Sequence, residues 1–435
     1  MFKSGYAATP VSSSQPKRHS VHSQKIHNLA LLHSALLQLR YLYQLCIGKC
    51  AMRCRMGILC VCLLVGVLSA CAATPAPLKI AVSMALDVPL GRQMMNAIQL
   101  AFDESDGKVG THSLELLVFN SGDAETPYSP TLDAQAARAA AADPTVVAFI
   151  SVTSDQVKAS LPITNQAGLV HLSPTATWPG LTKVGFAPGE PGIYYPNGKR
   201  TFFRVVPADD VQGVVGARWA AALGAKTVFI LSDDSLYANG LADIFAVNAL
   251  DLNIQVLGRE QFTQTDAEQI ARIITAAPDL LYMSTTGSKI PVAYTLIEIL
   301  RAKGFSALIM GGDGLIDTTL SNLEVLGEVC ATQIVPDPMR LESAANFAAA
   351  FRARYGEVPS PFALSSYEAA KVLLRALALA EPKTRQGVLD AMQRLGSYEG
   401  MLGRWQFDAN GDTTLTAIGG WCIEDGVWQF HENLR

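Results

Sequence analysis

The apolar run Thr145-Val146-Val147-Ala148-Phe149-Ile150, the polar step Ser151-Val152-Thr153-Ser154 and the second run Gly168-Leu169-Val170-His171-Leu172-Ser173 decide the fold. Each run is short and apolar at almost every position, as a strand covered on both faces would be. The stretch between them is long enough for a helix, and it opens with Thr and Ser, which accept hydrogen bonds from the free N–H groups of a first helical turn. Strand, helix and strand in that order predict a βαβ unit and so a parallel sheet.

The same alternation extends in both directions, with apolar runs recurring every 20 to 40 residues or so. A first set of strands is expected near 78–84, 113–119, 145–150 and 168–173, and a second near 226–232, 253–258, 279–284 and 306–310. The intervening helices carry one apolar face each: Met94, Ile98 and Phe102 are four apart, and Ala293, Leu296, Ile297 and Leu300 follow the i, i+3, i+4, i+7 spacing. A Gly- and Pro-rich stretch over 186–198, followed by Phe203-Arg204-Val205-Val206-Pro207, reads as a crossover between the two sets. Helical stretches over 343–355, 366–380 and 383–395 come after the Pro336-Asp337-Pro338 break and read as a return to the first set. The fold class is therefore α/β, with two doubly wound parallel-sheet lobes joined by a multi-crossover hinge. The expected organisation is a leader over 1–70, a spacer over 71–77, an N-terminal lobe of 78–208 plus 337–410, and a C-terminal lobe of 209–336 plus 411–435.

With 435 residues, 49% hydrophobic and 17% charged, the chain can bury more than one core. Its net charge of -4 conceals an asymmetry. Residues 1–70 hold eight Lys or Arg and no acid, which leaves 26 basic against 38 acidic residues, a charge of -12, for the rest. An acidic body argues against a nucleic-acid partner. The leader ends in an apolar run from Met56 to Ala70, preceded by Arg53 and Arg55 and closed by Leu68-Ser69-Ala70-Cys71. That run is shorter than the roughly 18 residues that favour a spanning helix and reads as an export signal. Small residues before Cys71 mark the position where bacterial lipoprotein signals are cut, and a lipid on Cys71 would tether the protein to a membrane without crossing it. Since such a signal begins only a few residues ahead of its apolar run, Met52 or Met56 is the expected start. The leader's His19, His22, His27 and His33 with Cys46, Cys50 and Cys54 match no common zinc spacing. Past cleavage only Cys71, Cys330 and Cys422 remain. Export permits a disulfide between the last two; two separate buried thiols are the alternative.

Two doubly wound lobes place strand C-termini and helix N-termini around one cleft, where open α/β sheets bind ligands. Thr153 and Ser154 lie at one such edge, Ser173-Pro174-Thr175-Ala176-Thr177 at the next, and Asp313 in the turn Gly311-Gly312-Asp313-Gly314. Hydroxyls and free N–H groups at a helix start suit a carboxylate, and an isolated acid opposite suits an ammonium.

Beyond the leader the chain resembles, over essentially its whole length, the type I periplasmic binding proteins, specifically the leucine/isoleucine/valine-binding family of receptors for ABC transporters. The resemblance rests on Leu172-Ser173-Pro174-Thr175-Ala176-Thr177 with Pro179 and Leu181-Thr182, on Phe203-Arg204-Val205-Val206-Pro207, on Tyr237 with Gly240-Leu241-Ala242, on Gly311-Gly312-Asp313-Gly314, and on Phe407-Asp408-Ala409-Asn410-Gly411-Asp412. It implies a lipid-anchored monomer outside the cytoplasm that needs no cofactor or metal, captures an amino acid or similar small molecule, and delivers it to ABC permease subunits. It further implies that Ser154, Thr175, Ala176 and Thr177 hold the ligand carboxylate, the middle two chiefly through backbone. Asp313 stands where leucine-type receptors usually carry a Glu for the ammonium, with Tyr237 closing over the ligand. Thr286 takes the place of a second cleft tyrosine and Leu90 that of a wall aromatic, so another amino acid, a small peptide, an amide or an aromatic acid stays open beside the branched-chain ligands. A binding protein that signals through a separate membrane receptor is the alternative function.

An enzyme is not expected. The chain has no Gly-x-Ser-x-Gly elbow and no His-Glu-x-x-His helix, and beyond residue 70 it has only His112, His171 and His431. In the Asp408–Asp412 run the glycine falls at the fourth position and not the sixth, so it reads as a turn and not a calcium loop.

Overall fold

The computed structural model describes residues 76–434 apart from 123–125 and 319; Cys71, the leader and most of the spacer lie outside the described residues. Six strands, β1 (Leu78–Met84), β2 (Lys108–Val109), β3 (His112–Asn120), β4 (Val146–Ile150), β5 (Val170–Ser173) and β6 (Phe202–Arg204), form the first sheet in the order β2-β3-β1-β4-β5-β6. All neighbours are parallel except the short hairpin of β2 with β3. Helices α1 (Pro89–Asp103), α2 (Pro130–Ala142) and α3 (Ser154–Gln166) connect them.

The chain then passes through α4 (Asp209–Ala222), β7 (Thr227–Ser232), α5 (Leu236–Asp251), β8 (Gln255–Gln261), α6 (Ala267–Ala276), β9 (Leu280–Ser284), α7 (Ile290–Ala302), β10 (Leu308–Gly311) and β11 (Val329–Gln333). It continues through α8 (Ala345–Tyr355), α9 (Pro361–Leu379) and α10 (Arg385–Gln393), of which α9 packs on α1 and α10 beside β4. A small hairpin of β12 (Tyr398–Gly400) and β13 (Gly403–Trp405) precedes β14 (Ile418–Glu424) and β15 (Val427–Leu434). The second sheet runs β15-β14-β11-β10-β9-β7-β8, parallel from β11 to β8 and antiparallel at β14 and β15. The chain thus crosses between the sheets three times, after β6, after β11 and before β14.

Local chemistry explains where the elements begin. In α3 the Thr153 hydroxyl accepts from Gln156 N while the Gln156 side chain accepts from Thr153 N, a reciprocal cap that fixes the helix start at the end of β4. Helix α9 starts at Pro361, five residues earlier than its apolar spacing suggests, because Ser360 caps it through Ala363 N and proline suits a first helical turn. The strands read from the sequence are all present. The additional strands β11, β14 and β15 complete the second sheet, and Cys330 of β11 and Cys422 of β14, register partners, are joined by a disulfide.

One buried cluster runs from Ile80, Val82 and Met84 through the crossover residues Val205 and Val206 to Val228 and Ile230 of the second sheet. The opposite face of that sheet, with Phe229, Leu231, Leu281, Met283 and Ile309, packs on α6 and α7. At the crossing, Arg204 is wholly buried and donates to Asp412 Oδ1 at 2.7 Å, to Thr182 Oγ1 at 2.6 Å and to the Trp178 carbonyl at 2.9 Å.

Candidate functional site

The C-terminal ends of β4 and β5 bring Ser154 and Thr175, Ala176 and Thr177 together. Ser154, the first residue of α3, accepts at its Oγ from Thr177 N (3.2 Å) and Trp178 N (3.0 Å). Thr175 Oγ1 donates to the Val152 carbonyl at 2.9 Å, and Ala176 N donates to Ser173 Oγ at 3.0 Å. The loop is therefore pinned to the helix start. All but Thr175 are buried.

The end of β10 carries the opposing group. Tyr237, in the first turn of α5, donates to Asp313 Oδ1 at 2.9 Å, and Gln212 Nε2 of α4 donates to the same oxygen at 2.5 Å. Glycine is needed here for close approach. A Cβ at Gly314 would stand 1.9 Å from the Thr285 carbonyl oxygen, and one at Gly312 would stand 2.5 Å from the Tyr237 hydroxyl. Thr286 lies nearby, where its N–H (2.7 Å) and Oγ1 (3.1 Å) donate to Asp233 Oδ2.

The electrostatics show a shortage of donors. Burial raises the Asp313 carboxyl above its ordinary value, and the Gln212 and Tyr237 hydrogen bonds offset only part of this. Burial, then the negative fields of Asp313 and Asp209, push the Tyr237 hydroxyl well up. Asp209 is fully buried at the start of α4, and neither of its oxygens has a hydrogen-bond partner. Burial pushes it far above the carboxylate range, Asp313 pushes it further, and the Thr177 hydroxyl, close by but outside hydrogen-bond geometry, offsets only part of that. The Gln212 Oε1 atom is also buried without a partner. A region with two acids and a spare amide oxygen is short of N–H donors, which an ammonium supplies.

Sequence reasoning missed Asp209, Gln212 and Trp178. The first two directly continue the quoted Phe203–Pro207 motif, as Ala208-Asp209-Asp210-Val211-Gln212; paired acids opening a helix after an apolar run were the available signal. Trp178 joins the sides. Its Nε1 donates to Glu190 Oε2 at 3.0 Å, its ring meets Phe186 edge-on, and it abuts Gly240 of α5. Leu236 N further donates to Asp155 Oδ1 at 3.4 Å between α5 and α3.

No nucleophile is poised here for chemistry. Ser151 and His171 are 2.9 Å apart but wholly buried, and burial holds the His171 imidazole down at about 3. The Asp408–Asp412 run forms a turn in which Asp408 Oδ1 accepts from Asn410 N and Asp412 N.

Residues 83–418 match the family model described as periplasmic binding protein. A Leu/Ile/Val-binding protein homolog 1 of Brucella abortus is 27% identical over 259 residues, which cover 57% of this chain and 64% of that protein. The match thus spans somewhat less than two thirds of that relative. A leucine binding protein LivK of Thermotoga maritima superposes with a TM-score of 0.71 at 25% identity, covering 82% of this chain and 99% of that one. The branched-chain amino acid transporter substrate binding protein LivJ of Streptococcus pneumoniae, solved with isoleucine, has a TM-score of 0.69 at 20% identity, covers 82% of this chain and 99% of its own, and shows the fold alone.

Proposed function

Since the chain belongs to the periplasmic binding protein family, we propose that it is the extracytoplasmic capture component of an ABC transporter and takes an amino acid or amino-acid-like zwitterion into the cleft between its lobes. The observation that carries the reading is the Asp313 carboxylate, held by Tyr237 and Gln212 on the second sheet in a region short of donors. On the first sheet, the Ser154–Thr177 loop offers hydroxyls and N–H groups at a helix start. An ammonium on Asp313 supplies the missing donors, and a carboxylate on the loop displaces contacts the loop now makes with itself. The relative and the LivK neighbour, both named for branched-chain ligands, support an amino acid. Thr286 and Leu90 border the side-chain end of the ligand and set its identity.

In this reading the lobes are residues 78–208 with 337–410 and residues 209–336 with 411–435. They close on the ligand, and the closed monomer docks on ABC permease subunits while a lipid on Cys71 keeps it at the membrane. Mass spectrometry of the ligand that co-purifies with the protein, followed by calorimetric titration with it, tests the proposal. A zwitterion is expected, and a tightly bound natural ligand with no ammonium group would overturn the reading. For the anchor, Cys71→Ser protein labelled with a radioactive fatty acid is expected to carry no label.

A further inference from the structure

The Gly- and Pro-rich stretch over 186–198 lies between β5 and β6 of the first sheet, and its one charged residue is turned inward. Glu190 is buried, and each of its carboxylate oxygens accepts a hydrogen bond: Oε2 from Trp178 Nε1 at 3.0 Å and Oε1 from the Tyr194 hydroxyl at 2.5 Å. The nearest cation, Lys158 Nζ of α3, stands 3.9 Å from Oε1 on a side chain that is 44% exposed. Gly180 makes room for this junction. A Cβ there would stand 1.8 Å from Glu190 Oε2 and 2.5 Å from Trp178 Nε1.

Trp178 belongs to two structures at once. Its backbone N–H and that of Thr177 donate to Ser154 Oγ, within the loop that faces the ligand. Its ring lies over Gly240 of α5, where a Cβ would fall 2.2 Å from Cζ3 and 2.6 Å from Cε3, and it shares one apolar cluster with Tyr194, Tyr195, Phe186 and Leu236, the first residue of α5. An amide in place of Glu190 could not serve both donors, because it presents one acceptor oxygen and turns its NH₂ to the other. A stretch that needed only to fold could bury an apolar residue there at lower cost than a carboxylate with a half-exposed counter-ion. The acid is matched to holding the indole N–H in place.

We propose that Glu190 is a positioning residue for capture: it fixes the Trp178 ring as a latch between the ligand loop and α5, and so slows release of whatever the cleft holds. The proposal rests on the cleft reading given above. Ring and helix backbone meet with no side chain between them, and beside them Leu236 N donates to Asp155 Oδ1 at 3.4 Å, so parting the lobes would break both contacts. The latch is built wholly from protein groups. It therefore lengthens the life of the closed form, with or without a bound molecule, and leaves the rate of encounter almost unchanged.

Small-angle scattering of the ligand-free protein, and stopped-flow release of L-leucine as the probe, test this. Glu190→Gln and Trp178→Phe should each enlarge the ligand-free radius of gyration. Each should also speed L-leucine release about tenfold or more, the effect of one buried hydrogen bond lost at about 1.4 kcal/mol per tenfold, with association changed less than ~3-fold. Because Glu190 acts through the ring, the double variant should release no faster than Trp178→Phe alone. Should one variant not fold, the other reads the same latch. Equal radii in wild type and both variants would overturn the proposal, and so would wild-type release in Glu190→Gln or additive effects in the double variant. A wild type that binds no L-leucine counts against a leucine-like ligand and not against the latch, which the scattering then decides.

Discussion

Trp178 stands so close to the backbone of Gly240 that a Cβ on that glycine would fall 2.2 Å from the ring carbon Cζ3. The ring is held in place, because its Nε1 donates to the buried Glu190 and Phe186 packs against it in a T-shaped contact. The contact joins the loop after β5 of the first sheet to helix α5 between β7 and β8 of the second, one on each side of the proposed cleft. Gly240→Ala is expected to prop the cleft open and weaken ligand binding about 10-fold or more, while the ligand-free Tm stays near wild type. Small-angle scattering with saturating ligand should show the loss of compaction directly.

Asp313→Asn removes the counter-charge for an ammonium while keeping the shape of the Tyr237 and Gln212 contacts. Taking one partner from a buried ion pair typically costs about 3–5 kcal/mol, so binding should weaken roughly 100-fold or more at about 1.4 kcal/mol per tenfold. Ser154→Ala, which deletes one hydrogen bond to a charged group, should cost less, about 1.5–3 kcal/mol. Calorimetry on both variants checks the order.

The Arg204–Asp412 pair, both buried, should tie acid stability to the crossing between the sheets. Burial alone would raise Asp412, but Arg204, Lys183 and the Thr182 hydroxyl outweigh it and hold the carboxyl below its ordinary value. A depressed acid stabilises the fold above its unfolded value of about 3.9, and that stability is lost as pH falls through the lower folded value. Arg204→Met should lose about 3–5 kcal/mol at pH 7 in urea unfolding. The gap between wild type and Asp412→Asn should narrow below about pH 4.

Reduction of the Cys330–Cys422 bond, or its replacement by alanines, removes a link that closes a loop of 92 residues. The expected loss is about 2–4 kcal/mol. Calorimetric scans with and without reductant measure it, with the double-alanine variant showing no response to reductant.

The parallel strands and amphipathic helices were legible because they are local patterns; the runs 78–84 and 145–150 differ from strands β1 and β4 by at most a residue. Tyr237 and Asp313 could be named from motif order, and the structure bonds them. What stayed hidden depends on pairing at a distance. Gln212 meets Asp313 across 101 positions. The hairpin of β14 and β15 did carry a local sign, Asp425-Gly426, both at positive φ as tight hairpin turns demand. The sequence reading named neither strand. Whether Cys330 and Cys422 pair was also open, since only the register of β11 against β14 brings them together.

The interleaved connections fix an order of events in the protein's biogenesis. Helix α9 covers α1, although five of the second sheet's seven strands are made between them, and β14 and β15 complete that second sheet later still. Each half thus completes its packing with late segments, and long loops must close to bring them in. Folding should therefore finish late in synthesis, which would suit the proposed role, in which the polypeptide has to stay threadable for export.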